Sequence, residues 1–175
     1  MKKTLLGLTL LSTIILAACS MKPSMSGTGS VDTGAVLETG VVETPITMIN
    51  IYQVQLDGTT GTATGTAIPL GCNDLLVEVP VEVDMTEVNK YPKTWDAIVD
   101  YDFEDMGLMN PWKTQDEVAF DSYEIVGSTL TVNLTGTIKI GGVCDVPRLN
   151  ETVKATYKNF GYDDVVVLVN GQTIN

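Results

Sequence analysis

No histidine occurs anywhere in the 175 residues. Its absence excludes Ser-His-Asp and Cys-His nucleophile arrangements and every histidine-ligated metal site. No G-x-S-x-G elbow and no phosphate-cradling P-loop is present either. Basic residues are scarce: 10 Lys and Arg stand against 22 Asp and Glu, for a formal net charge of −12. Such a surface repels phosphate backbones, which proteins neutralise with Lys and Arg, so nucleic acid is a poor candidate partner. It also argues against lying flat on anionic lipid, while it favours solubility and steers basic partners by long-range attraction. No internal repeat is visible, and no apolar run reaches the roughly 20 residues of a spanning helix. Cysteine occurs three times, at Cys19, Cys72 and Cys144. An odd count in an exported chain leaves one thiol to be explained.

The amino terminus supplies the explanation. Lys2 and Lys3 precede the apolar run Leu5 to Leu16, and the small residues Ala17 and Ala18 follow, which is the layout of an export signal. The stretch "LAAC" (Leu16 to Cys19) resembles the lipobox of bacterial lipoproteins. That resemblance implies a diacylglyceryl group on the Cys19 thiol, cleavage just before it, and acylation of the new amino terminus. Two or three acyl chains together anchor stably, since each buried CH₂ contributes about 0.8 kcal/mol. The expected result is a lipoprotein of the bacterial cell envelope, facing the periplasm or exterior, with covalent lipid on Cys19 and no other cofactor. Removing residues 1–18 takes away two lysines and no acid, which makes the chain more negative still. An ordinary secretory signal with a chance cysteine is the alternative.

Residues 19–45 are rich in Ser, Gly and Thr and contain no aromatic side chain. They read as a tether with a reach of about 25–30 Å by random-coil scaling, with a short strand conceivable at 35–43. Residues 46–175 are long enough for one domain with a real core. "ITMINIYQVQL" (46–56) and "DLLVEVPVEVD" (74–84) alternate as strands, joined by a long Gly/Thr run. Pro80 places the second at an edge or at a bulge. "KTWDAIVDYDFEDMG" (93–107) takes helical period, with Thr94 as a cap and Gly107 as a stop. "EVAFDSYEIVGSTLTVNLTG" (117–136) is a hairpin turning at 127–128, its Leu130, Val132 and Leu134 facing the core. "VPRLNETVKATYKNFG" (146–161) is a second helix, started by Pro147 and ended by Gly161. "DVVVLVNGQTIN" (164–175) is a buried strand closing on an Asn-Gly turn. The order β-β-α-β-β-α-β predicts an α+β fold: a single, mainly antiparallel sheet with about two helices packed on one face.

With Cys19 set aside, Cys72 and Cys144 form an even pair, and in an oxidising compartment a disulfide is expected. Two reduced thiols forming a redox or metal site is the rival, but no histidine or second C-x-x-C supports it. Acids cluster at Asp96, Asp100, Asp102, Glu104 and Asp105. Asp100, Asp102 and Glu104 alternate oxygens as Ca²⁺ prefers, without the glycine and distal glutamate of an EF-hand. A solvated acidic face is the other reading, and paired-carboxylate glycan hydrolysis a third. Tyr91, Trp95, Tyr101 and Trp112 crowd the same region. They are candidates for a partner or carbohydrate platform, or for the core and its rim.

The segments "STLTVNLTG" (128–136) and "LNETVKATYKNFGYDDVVVLVNGQTI" (149–174) resemble the GerMN domain of bacterial sporulation, germination and envelope lipoproteins. The shared pattern is a Val-rich strand, a helix ending near an aromatic and glycine (Phe160-Gly161), and a last strand closing on Asn170-Gly171. "INIYQVQL" with "LLVEVPVEVD" is similar to that family's opening strands, whereas the Gly/Thr insertion at 57–70 is longer than its usual turn. The resemblance implies an α+β scaffold or interaction module binding an envelope protein or peptidoglycan, and it carries no catalytic residues. The alternatives are an acidic lipoprotein inhibitor of a basic hydrolase such as lysozyme, and a carboxylate-dependent glycan hydrolase.

Overall fold

The structure, a computed structural model, describes residues 45–62 and 65–175. The expected leader, Cys19, the tether and the short strand at 35–43 lie outside the described residues. The fold is α+β, in the chain order β1 (Ile46–Gln55), β2 (Ala67–Pro69), β3 (Leu75–Asp84), α1 (Lys90–Asp100), β4 (Ala119–Val126), β5 (Thr129–Thr135), α2 (Asp145–Lys158), β6 (Asp164–Val169) and β7 (Gln172–Thr173). The strands form two sheets where one was expected: a three-stranded sheet β1-β3-β2 and a four-stranded sheet β4-β5-β6-β7. All pairs are antiparallel except β5 with β6, which α2 joins as a βαβ crossover. No helix among the described residues is long and apolar enough to cross a membrane.

The period-two patterns build both cores. Ile49 and Ile51 of β1 lie opposite Val81 and Val79 of β3, and all four are buried with Val83, Met85, Ala97 and Leu108. In the second sheet Leu130, Val132 and Leu134 of β5 lie against Val165, Val167 and Val169 of β6. Leu149, Val153 and Tyr157 of α2 and Tyr91, Trp95 and Ile98 of α1 cover that face, with the Trp95 and Trp112 rings edge to face at 4.9 Å. Each such buried side chain contributes about 1.5–3 kcal/mol.

Helix α1 starts three residues earlier and ends seven earlier than the sequence pattern suggested. Pro92 sits in its first turn, where an amide has no intrahelical partner to lose, so "KYP" opens the helix instead of preceding it. Thr94 is therefore interior, and its hydroxyl donates to the Lys90 carbonyl at 2.7 Å. Gly107, at φ +73°, ends a separate short turn of 3-10 helix at Glu104–Met106. Both predicted tight turns are present: Gly127 has φ +61°, and Asn170 and Gly171 have φ +52° and +77°, the left-handed pair of a two-residue hairpin.

The division into two sheets follows from how the strand edges are closed. The outer edge of β1 meets no strand; it is satisfied by other groups. Val54 exchanges both backbone hydrogen bonds with Met109, at 3.0 and 2.7 Å. The Tyr52 N–H donates to Thr156 Oγ1 on α2, and Asn159 Nδ2 donates to the Asn50 carbonyl at 2.8 Å. On β3, the Glu78 N–H points outward to Thr66, so the nitrogen of Pro80, two residues on, faces the same way past the end of β2. Its missing N–H costs no ladder bond there, although β3 is the central strand of its sheet and not the edge strand expected, because β2 is too short to reach Pro80. Strand β4 differs: it pairs with β5 alone, and among the described residues no hydrogen bond reaches its other edge.

Candidate functional site

A cleft of about 450 Å³ lies between the segment following α1 and the start of α2. Its walls are held by side-chain amides. Asn110 Nδ2 donates to the carbonyls of Ile98, Val99 and Tyr101 at 2.8, 3.1 and 2.8 Å, satisfying the end of α1. Asn110 Oδ1 accepts the Trp112 N–H at 2.9 Å, and the Trp112 indole N–H donates to the Leu149 carbonyl of α2. Gln115 clamps Lys139 from both sides, donating to its carbonyl at 3.0 Å and accepting its N–H at 2.7 Å. Asp145 Oδ2 accepts the N–H groups of Gly141 and Gly142 at 2.7 and 3.0 Å. The Cys72–Cys144 disulfide then ties the residue before α2 to the loop before β3. Beside it the buried carboxylate of Asp74 receives Arg148 Nε at 2.7 Å and the Asp57 N–H at 3.0 Å.

Asp102, Glu104, Lys113, Lys139 and Asp145 line the cleft with Met109 and Leu149. Lys113 bonds Asp102, holding its carboxyl below the usual carboxylate range, and Asp102 in turn raises the Lys113 ammonium. Lys139 pairs with Asp116 at 2.5 Å and lowers that carboxyl in the same way. A glycosidase acid needs a carboxyl pushed upward, and Asp102 is moved the other way. Asp145 is occupied by two amides and by Arg148, so it is a loop clamp and not a free base. The arrangement suits a small ligand carrying both charges, or an extension of a larger contact surface.

Several sequence candidates separate here. Asp100 lies in a different depression, with Glu82, Asp84 and Asp96, away from Asp102 and Glu104. Among the described residues no three carboxylates or thiols converge on a point that could hold a metal ion. Tyr91, Trp95 and Trp112 are buried in the second core, which corrects the reading of them as a partner platform: their rings are consumed by packing against α2 and β5. Tyr101 stays half-exposed, stacked on Phe103 with centroids 5.9 Å apart, and its hydroxyl donates to the Glu82 carbonyl.

No sequence pattern marks Asn110 and Gln115, because a lone amide in a loop has no period, and the carbonyls they meet lie 9–12 residues back for Asn110 and 24 ahead for Gln115. Gln53 of β1, opposite Val77, is fully buried with neither amide atom partnered among the described residues. Comparison with family models, with curated proteins and with solved structures found no match.

Proposed function

We propose that this chain is a non-catalytic lipoprotein of the bacterial cell envelope, held at the membrane by lipid on Cys19. Its GerMN-like domain serves as an interaction module for an envelope protein or for peptidoglycan. The observation that carries the reading is the pairing of Cys72 with Cys144. That pairing suits an oxidising compartment and leaves Cys19, directly after Leu16-Ala17-Ala18, as the remaining cysteine. The mixed-charge cleft, in which Asp102 is engaged by Lys113 and Asp145 by the Gly141 and Gly142 amides, supports binding over catalysis. Mass spectrometry of protein extracted from membranes tests the anchor: an acylated Cys19 as first residue and no free thiol is expected. Residues 1–18 still attached would end the proposal. Crosslinking in intact cells, followed by identification of the adduct, tests the module.

Inhibition of a basic hydrolase such as lysozyme is the second reading, favoured by the net charge of −12. Titration of lysozyme activity with the purified protein decides it, and an unchanged rate at excess protein removes it.

A further inference from the structure

We infer that the outer edge of β4 is a docking edge for an extended segment of another protein in which apolar residues alternate with Lys or Arg. The inference deepens the proposed function and rests on it, since it names the surface and the chemistry of the partner.

The comparison with the other strand edges carries the argument. Exposed edges are templates for strand addition, and proteins blunt them with helices, prolines, charged side chains (lysine above all), bulges or short strands. Here β1 is closed by Met109, Thr156 and Asn159, and β3 by β2, Pro80 and the Tyr101 hydroxyl. Strand β7 is only two residues long. Strand β4 runs for eight residues, "AFDSYEIV", with no Lys, Arg or Pro. A bulge at Asp121 is its one irregularity, leaving Ser122–Val126 as an unbroken register against β5.

Its side chains specify the partner. Tyr123 and Ile125 lie opposite Val132 and Leu130, which are fully buried, so both point to the core side of the sheet. They are nevertheless 42 % and 45 % exposed, because the sheet stops at β4 and nothing covers their outer flank among the described residues. The Tyr123 ring is set in place against Tyr91 of α1, centroids 4.0 Å apart. Glu124 and Ser122 lie opposite Thr131 and Asn133 on the other, solvent face. An added strand presents successive side chains to opposite faces. Apolar residues on its core side would cover Tyr123 and Ile125, and basic residues on its outer side would meet Glu124, with Asp121 and Glu117 nearby in sequence. Backbone pairing supplies affinity in this mode and the alternating side chains supply specificity. A second copy of this chain is the poorer occupant: it would bring the same acidic strand, on a chain of net charge −12, against itself.

The test uses the full chain in detergent and three fluorescein-labelled octapeptides. One alternates Val or Ile with Lys or Arg, one has the same composition with apolar and basic residues in separate blocks, and one alternates apolar residues with Glu. The alternating basic peptide should bind at least tenfold more tightly than either control and slow amide exchange within 119–126. Ile125→Lys and Glu124→Lys should each weaken it at least tenfold, and Glu124→Lys should do so without shifting the melting temperature, since its side chain is exposed on the solvent face. Equal binding of all three peptides, or protection elsewhere, overturns the inference. A concentration-dependent dimer abolished by Ile125→Lys overturns it in favour of a second copy. Photo-crosslinkers placed at Ser122 and at Lys113 in cells separate this from the wider proposal. An adduct from Lys113 alone keeps the interaction module and rejects the β4 edge, whereas a missing acyl group on Cys19 rejects the anchor and leaves the peptide result standing.

Discussion

Thr156 of α2 accepts the backbone N–H of Tyr52 at 3.1 Å, so a helix hydroxyl takes the place of a neighbouring strand. The same hydroxyl donates to the Thr152 carbonyl one turn back at 2.8 Å, which fixes its lone pairs toward β1. Thr156→Val keeps the shape and leaves the Tyr52 N–H buried and unpaired. The expected loss is about 1–3 kcal/mol. Urea denaturation measures it, and amide exchange at Tyr52 should accelerate. A stability change within error would mean that water reaches this edge.

Gln53 gives the opposite expectation. Its amide is fully buried on an otherwise apolar face opposite Val77 and has no protein partner among the described residues. Leaving such a group unsatisfied costs on the order of 1–3 kcal/mol, which an apolar residue of similar size does not incur. Gln53→Leu should therefore raise the melting temperature. A destabilisation of more than about 1 kcal/mol would show that the amide is satisfied in solution.

Asp74 is 2 % exposed and its carboxylate is met by Arg148, whose guanidinium also reaches Asp145 at 3.3 Å. Removing one member of a buried pair leaves an uncompensated charge and costs about 3–5 kcal/mol, whereas replacing both costs much less. Arg148→Met alone should thus destabilise more than Arg148→Met combined with Asp74→Asn. Chemical denaturation of the wild type, the two single variants and the double variant gives the comparison, and simple additivity of the two single losses would sink this account.

Three of the six tyrosines, Tyr52, Tyr91 and Tyr157, have phenols raised above their ordinary 10.0. Burial is the main cause in each, followed by Glu78 for Tyr52, Tyr162 for Tyr91 and Asp96 for Tyr157. Their neutral forms are favoured in the folded state. The stability this contributes is complete below pH 10 and is lost as pH rises above it, because the unfolded chain ionises first. Alkaline unfolding should begin above about pH 10. Absorbance at 295 nm should show these three phenols ionising only with the loss of near-ultraviolet circular dichroism. Smooth ionisation of all six with the fold intact would contradict the burial.

Local chemistry made much of the fold legible. Strict alternation in "LLVEVPVEVD" and "STLTVNLT" sets which side chains face inward, since a strand has period two. Asn170-Gly171 tolerates two left-handed residues in succession and so forces a tight turn. Pro147 and the Leu149–Val153–Tyr157 spacing mark α2 for similarly local reasons. The disulfide followed from counting thiols once Cys19 was assigned elsewhere. The bounds of α1 were less legible, because Pro92 in a first turn looks the same in sequence as a proline before a helix.

The sequence by itself determined the α+β class, the inward faces of the strands, both tight turns and the Cys72–Cys144 pairing. All of these depend on neighbours within a turn or on the count of a rare residue. Tertiary structure alone decided that there are two sheets, since the β1 edge is closed by Thr156 and Asn159, more than one hundred positions along the chain. It also sent Trp95 and Trp112 into the core, while Tyr123 and Ile125 of β4 stayed half in solvent. Periodicity gives the face on which a side chain lies; whether that face is covered depends on what packs against it, and no local pattern contains that.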